Sequence, residues 1–251
     1  MASDFVELSS GRTSALVRND FLESFERHRL LDCARAPLLE VPGSASSAEI
    51  SGGRGGIRVV PAGALGEAVV RPYVRGGLVE RFNRRRYFFG ERAFAELVAT
   101  QRLRRRGGPV PEALAAVQLA RSPGYLACLA TRRIPRVRRA AVVLASAPGA
   151  VRAITLERIG RAVRSLHVAG GVHADLNAHN ILVTEDGEGP GFVIDLDRAT
   201  VLEGPVTGRR ARANLERLRR SFRKLGLRDA LREWEYLERG YEAPPRPPVA
   251  A

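Results

Sequence analysis

Residues 173 to 180 read HADLNAHN, so that His173, Asp175, Asn177, His179 and Asn180 stand within eight positions. Each of these side chains can bind a metal, move a proton or tie a loop by hydrogen bonds. Zinc shared by His173 and Asp175, or by Asp175 and His179, is one possibility. A closed zinc site wants three or four ligands, though, and beyond the loop the only further histidines are His28 and His167, while the two cysteines lack metal-type spacing. Phosphoryl transfer is another. It needs an aspartate to accept the proton of a hydroxyl nucleophile, an asparagine a few residues on to hold Mg²⁺, and a second aspartate to hold that metal against the phosphates. A polar turn with no chemistry is the third.

The segments around the octapeptide bear on this choice. Leu156, Ile159, Val163 and Leu166 recur at helical spacing, and the helix they predict closes at Gly170 and Gly171, just before the loop. NILVT and GFVID then read as two strands around the turn EDGEGPG, which brings Asp195 to the end of a hydrophobic strand. Asp175, Asn180 and Asp195 therefore follow in the order of a kinase catalytic loop and metal loop, with four residues between the first two. The three together favour phosphoryl transfer.

Upstream, the stretch from about 18 to 35 has helical character. EVPGSASSAEISGGRGG then breaks it, as a linker or as a glycine loop in which Gly53, Gly55 and Gly56 let backbone amides approach phosphates. IRVVPAG and EAVVRPYV read as two strands joined by a turn. A basic, aromatic stretch, RGGLVERFNRRRYFFG, precedes a helix through ERAFAELVATQRLRRRG, and GYLACLATRRIP reads as one more strand. A boundary near residue 133 divides an N-terminal lobe (1–133, with 1–45 an extension of unassigned role) from a helical C-terminal lobe (134–251). In the latter, Leu215, Leu218, Phe222 and Leu225 mark a basic amphipathic helix, and the proline-rich residues 244–251 are expected to be disordered. The fold class expected is α+β, with a small, mainly antiparallel β lobe and a mainly helical one.

With 251 residues, 45% of them hydrophobic, the chain can bury a sizeable core. Its formal net charge is +14, almost all from arginine, since Lys224 is the one lysine; anionic partners are expected, although a GC-rich genome would also favour arginine. Cys33 and Cys128 have neither metal-type spacing nor the look of a disulfide framework, which suits a reducing cytoplasm. Asp4 and Glu7 near the start, and apolar runs shorter than the ~20 residues of a membrane span, predict neither a signal peptide nor a spanning helix.

HADLNAHNILV with VIDLDRA, preceded by VVRPYVRGGLVERFNRRRYFFGERAFAE and followed by NLERLRRSFRK, resembles the bacterial 3-deoxy-D-manno-octulosonic acid (Kdo) kinases of the lipopolysaccharide kinase family, over about residues 52 to 225. The resemblance implies a bilobal protein-kinase-like fold. It also implies ATP-dependent phosphorylation of the 4-hydroxyl of Kdo in Kdo-bearing lipid A precursor, in the lipopolysaccharide inner core, at the cytoplasmic face of the inner membrane. By it Asp175 is the catalytic base, Asn180 and Asp195 bind Mg²⁺, and His173 is a support that packs and hydrogen-bonds. Asn177 and His179 shape the loop or touch the sugar. Arg71 takes the place of the usual phosphate-binding lysine, as in similar Kdo kinases, and Glu96 is its partner.

Departures from the protein-kinase pattern narrow the expectation. Ala174 stands where an arginine would grip a phosphorylated activation loop, and no Ala-Pro-Glu anchor follows Asp195. A glycolipid acceptor and no protein partner are therefore expected. Asp197, at the position of the glycine of the Asp-Phe-Gly segment, is a metal neighbour, a sugar ligand or a turn residue. Arg75, Arg81, Arg84 and Arg85, interleaved with aromatics, suit an anionic glycolipid at an anionic membrane surface; the same composition would bind nucleic acid, a weaker expectation. A heptose kinase and a non-catalytic basic module are the competing readings.

Overall fold

The computed structural model describes residues 4–34, 57–73, 92–122, 124–184 and 189–244. The chain divides into two compact units, residues 1–98 with 112–133 and residues 99–111 with 134–251. Relative to a boundary at 133, residues 99–111 belong with the second unit. The reason is burial: Leu103 and Val110 are both fully enclosed in that unit's core.

The first unit is built on strands β1 (Phe5–Ser10), β2 (Thr13–Arg18), β3 (Arg58–Pro61) and β4 (Glu67–Pro72), helices α1 (Leu22–Arg27) and α2 (Arg92–Arg105, which continues into the second unit's residues), and strands β5 (Ala113–Ala120) and β6 (Tyr125–Arg132). The six strands form one antiparallel sheet in the order β1-β2-β5-β6-β4-β3. On one face Phe21, Phe25 and Leu30 pack against Val17, Val70 and Val117; on the other Ala93 and Leu97 of α2 pack against Tyr73, Ala116 and Leu129. β5 lies between these two layers, so its residues are buried on both sides from Ala113 to Leu119.

Two expectations are corrected here. The helical character read over 18–35 reduces, among the described residues up to 34, to an α-helix at Leu22–Arg27 flanked by short 3₁₀ turns, while residues 5–18 form a hairpin whose second strand pairs with β5. That pairing supplies the non-local partner that the local pattern cannot reveal. Cys33 and Cys128, 95 residues apart in sequence, are joined as a disulfide with their Cα atoms 6.5 Å apart. The turn after Leu30 and strand β6 share one apolar layer, and this meeting has no signature in the spacing of two cysteines.

The second unit contains β7 (Val137–Arg139), α3 (Ala140–Ser146), α4 (Gly149–Val168), β8 (Gly171–Val172), β9 (Ile181–Thr184), β10 (Phe192–Val193), β11 (Thr200–Val201), α5 (Gly208–Lys224), α6 (Arg228–Arg232) and α7 (Trp234–Glu242). Leu156, Ile159, Val163 and Leu166 of α4 are fully buried, with Leu218 and Phe222 of α5 and Leu237 of α7 in the same core. α4 and α7 approach closely at Gly160 and Gly240: a Cβ on Gly160 would lie 2.7 Å from the Tyr241 backbone nitrogen and overlap the Leu237 carbonyl. Gly170, with φ of 90°, ends α4 in the left-handed region that glycine adopts without strain. Two small sheets, β10-β9-β7 and β11-β8, then carry the polar loops. Among the described residues no helix is long and apolar enough to cross a membrane.

Candidate active site

The loop from His173 to Asn180 runs between β8 and β9, and Asp195 lies two residues past the end of β10. β9 and β10 pair antiparallel, Ile181 opposite Val193 and Leu182 opposite Phe192. One further bond, from the Ile194 N–H to the Asn180 carbonyl at 2.9 Å, carries the pairing beyond the strands and draws residue 195 to the end of the His173–Asn180 loop.

His173 fixes this junction. Its ring is fully buried; Nδ1 accepts from the Asp175 N–H at 3.0 Å, which leaves the proton on Nε2 to be donated to the Ile194 carbonyl at 3.0 Å. One neutral imidazole thus bonds the backbone of Asp175 and the residue before Asp195. Burial lowers its pKa below that of an ordinary histidine. The bond to Ile194 and the negative charges of Asp195 and Asp175 act in the opposite direction without overcoming it. With both ring nitrogens committed to backbone groups, His173 is not a zinc ligand. It packs and hydrogen-bonds as the family resemblance implies.

Beneath it lies a second layer of bonds. Asn214 of α5, fully buried, accepts at Oδ1 from the His173 N–H (3.1 Å) and from His167 Nε2 (3.2 Å), and donates from Nδ2 to the His173 carbonyl (2.8 Å). His167, near the end of α4, is held at Nδ1 by the Tyr241 hydroxyl of α7 at 2.7 Å, and burial lowers its pKa as well. The loop backbone is therefore bonded through to three helices. Asn214 and Tyr241 escape a reading of the sequence because they lie 41 and 74 residues from the histidines they meet. A buried asparagine amid the apolar positions of a basic helix was the one available signal.

Within the loop, Asn177 acts as a clamp. Its Nδ2 donates to the Asp175 carbonyl at 3.0 Å and to the Asp175 carboxylate at 3.1 Å, while its Oδ1 accepts the N–H groups of His179 and Asn180. Asn180 Nδ2 also donates to the Asp175 carbonyl, at 3.0 Å, which leaves Oδ1 as the atom of that amide suited to a cation. Asp175, His179 and Asp195 are exposed, and Asp197 is half-buried. Asp195 has φ of 61°, a left-handed conformation that few residues other than glycine adopt and that aspartate tolerates better than most; the Ile194 bonds hold the peptide before it on both sides. Asn180 Oδ1 and the Asp195 carboxylate would offer a cation oxygen donors only. That suits Mg²⁺, which takes one or two protein ligands and completes its shell with water and phosphate. Among the described residues no cluster of three or more His, Cys, Asp or Glu that could hold a metal is found.

In the first unit, Arg71 on β4 meets Glu96 on α2, with Nη2 at 2.8 and 3.0 Å from the two carboxylate oxygens. The Glu96 side chain is 2% exposed and that of Arg71 30%. Tyr73 was not singled out in the sequence. It donates its hydroxyl to the same carboxylate, and the Arg71 guanidinium lies 5.1 Å from the centre of its ring. The strand's alternation places 71 and 73 on one side of the sheet, facing α2. Gly53, Gly55, Gly56, Arg75, Arg81, Arg84 and Arg85 lie outside the described residues.

Residues 44–241 match the model of the lipopolysaccharide kinase (Kdo/WaaP) family. A 3-deoxy-D-manno-octulosonic acid kinase of Xanthomonas euvesicatoria is 42% identical over 200 residues, covering 76% of this chain and 77% of that protein. One of Stenotrophomonas maltophilia is 38% identical over 228 residues, covering 87% and 88%. The solved structure of WaaP in complex with acyl carrier protein has the same fold, at a TM-score of 0.55 and 18% identity over 92% of this chain and 89% of that one. The chain is a member of the lipopolysaccharide kinase (Kdo/WaaP) family.

Proposed function

We propose that the protein is an ATP-dependent kinase of Kdo, transferring the γ-phosphoryl group to the 4-hydroxyl of Kdo on a lipid A precursor during assembly of the lipopolysaccharide inner core. The observation that carries this reading is the convergence of Asp175, Asn180 and Asp195 on one hydrogen-bonded junction, in a chain whose relatives are named as Kdo kinases. Asp175 would accept the hydroxyl proton as the new O–P bond forms and the bond to ADP breaks, with its carboxylate oriented by Asn177. Asn180 and Asp195 would hold Mg²⁺, which when bound offsets the charge of the phosphates. Arg71, kept in place by Glu96 and Tyr73, would bind phosphate oxygens with a planar fork where kinases generally use an ammonium. A lipid-linked acceptor also implies work at the cytoplasmic face of the inner membrane.

The test is a transfer assay with purified protein, ATP, Mg²⁺ and either Kdo-lipid A precursor or soluble Kdo, with a heptose acceptor alongside, and the product's linkage read by mass spectrometry. Phosphate on the Kdo 4-hydroxyl is expected. Transfer to heptose alone, or none where an authentic Kdo kinase is active, would overturn the reading. Asp175→Asn should lower kcat by at least about a hundredfold, the low end of general-base contributions, while leaving the melting temperature unchanged. Full activity in that variant would remove Asp175 as the base.

A further inference from the structure

The second unit carries an apolar surface that its chemistry does not use. Four large apolar side chains are exposed among the described residues, and three of them, Val142, Val151 and Ile154, sit where α3 turns into α4. Ala145, Pro148 and Ala150, in the same stretch of chain, are also exposed. The one charged residue from Ala140 to Leu156 is Arg152, and it is folded back. Its guanidinium forks onto Glu233 at 2.6 and 3.0 Å and donates to the Ala147 carbonyl at 3.0 Å, so the charge is neutralised and the connection between the helices is tied down. Immediately upstream, Arg136 and Arg138 are exposed, and their guanidinium groups make no hydrogen bond or ion pair with any described residue.

An apolar corner held rigid by an internal ion pair and bordered by uncompensated cations matches the surface of an anionic bilayer. Apolar side chains gain by leaving water for the interfacial layer, and arginines gain by meeting lipid phosphates. Either contribution alone gives marginal, reversible attachment; the two together give useful attachment. A second copy of the chain fits less well, because a two-fold contact would bring this corner onto itself and oppose the arginines of one copy to those of the other.

We propose that the α3–α4 corner is a membrane-docking element, with Val142, Val151 and Ile154 entering the interfacial layer and Arg136 and Arg138 on anionic headgroups; its purpose rests on the reading of a lipid-linked acceptor. The test is co-sedimentation of the full chain with vesicles of phosphatidylethanolamine and phosphatidylglycerol, compared with vesicles of phosphatidylcholine alone. The parent should partition into the anionic vesicles. Val151→Ser with Ile154→Ser, and separately Arg136→Gln with Arg138→Gln, should each weaken this by roughly fivefold per side chain changed. Both variants should phosphorylate soluble Kdo at the parent's rate. A double variant that partitions as the parent does would overturn the proposal. So would a parent that binds no vesicles but sediments as a dimer broken by Val151→Ser with Ile154→Ser, which would give the corner to a second copy. A parent that docks as described but phosphorylates no Kdo would sink the functional reading and leave the docking surface standing.

Discussion

Asn214→Ala tests whether the buried amide under the His173–Asn180 loop holds the candidate site together. The substitution removes both polar atoms of a fully buried side chain and strands three partners: the N–H and carbonyl of His173 and Nε2 of His167. A buried polar group left without a partner costs about 1–3 kcal/mol, so even the low end summed over three gives ~3 kcal/mol. Native stabilities are about 5–15 kcal/mol, so the variant should still fold, with its melting temperature lower by roughly 6–12 °C. Catalysis should suffer beyond stability, because His173 carries the bonds to Asp175 and Ile194, and a misplacement of ~1 Å can cost about a hundredfold in rate. The measurement pairs thermal melting with kcat at a temperature where the variant is fully folded. A loss below about 1 kcal/mol would refute the energetic argument. A destabilised variant with the parent's kcat would show that Asn214 supports the fold without positioning the loop.

Three further outcomes are expected. His167 and His173 have folded-state pKa values lowered by burial, so as pH falls through the unfolded value of about 6.5 toward the folded values only the unfolded chain takes up these protons. Stability should be full above that window and fall within it by up to ~1.4 kcal/mol per pH unit for each histidine; urea midpoints that do not change between pH 7.5 and 5.5 would contradict this. Gly160→Ala should destabilise by about 2 kcal/mol despite the better helix propensity of alanine, because the added methyl overlaps the Leu237 carbonyl of α7; chemical denaturation reads it, and an unchanged midpoint would deny the close helix contact. Arg71→Ala should raise the KM for ATP by at least about tenfold and lower stability by about 1–2 kcal/mol, a figure kept small because Arg71 is partly solvated while Glu96 retains Tyr73. An ATP KM unchanged in that variant would exclude Arg71 from the nucleotide site.

Much of the site was legible because its parts are local. The step from Asp175 to Asn180 lies within one loop, and NILVT and GFVID have the composition of a hairpin, which appears as β9 and β10. IRVVPAG and EAVVRPYV likewise become β3 and β4, and the expected pair of Arg71 and Glu96 is present because strand alternation and the helix after it put the two on facing surfaces. β5 was not legible. ALAAVQLA is rich in alanine, a helix former, and becomes a strand because β2 and β6 offer partners on both edges and apolar layers cover both faces.

By itself the sequence pointed to the family and set out the candidate residues, because side-chain type and short spacing are properties of the chain alone. Only the tertiary structure decided what holds them. It joined Cys33 to Cys128, placed Tyr73 on Glu96, and set His167, Asn214 and Tyr241 beneath His173. Each is a contact between segments far apart in sequence, in a dry interior where a polar group without a partner is costly. The identity of the partner is fixed by packing and leaves no local trace. For the same reason His173 is a neutral two-way hydrogen bonder: a histidine in a polar loop could equally have bound metal, and burial against Ile194 and Asp175 decided otherwise.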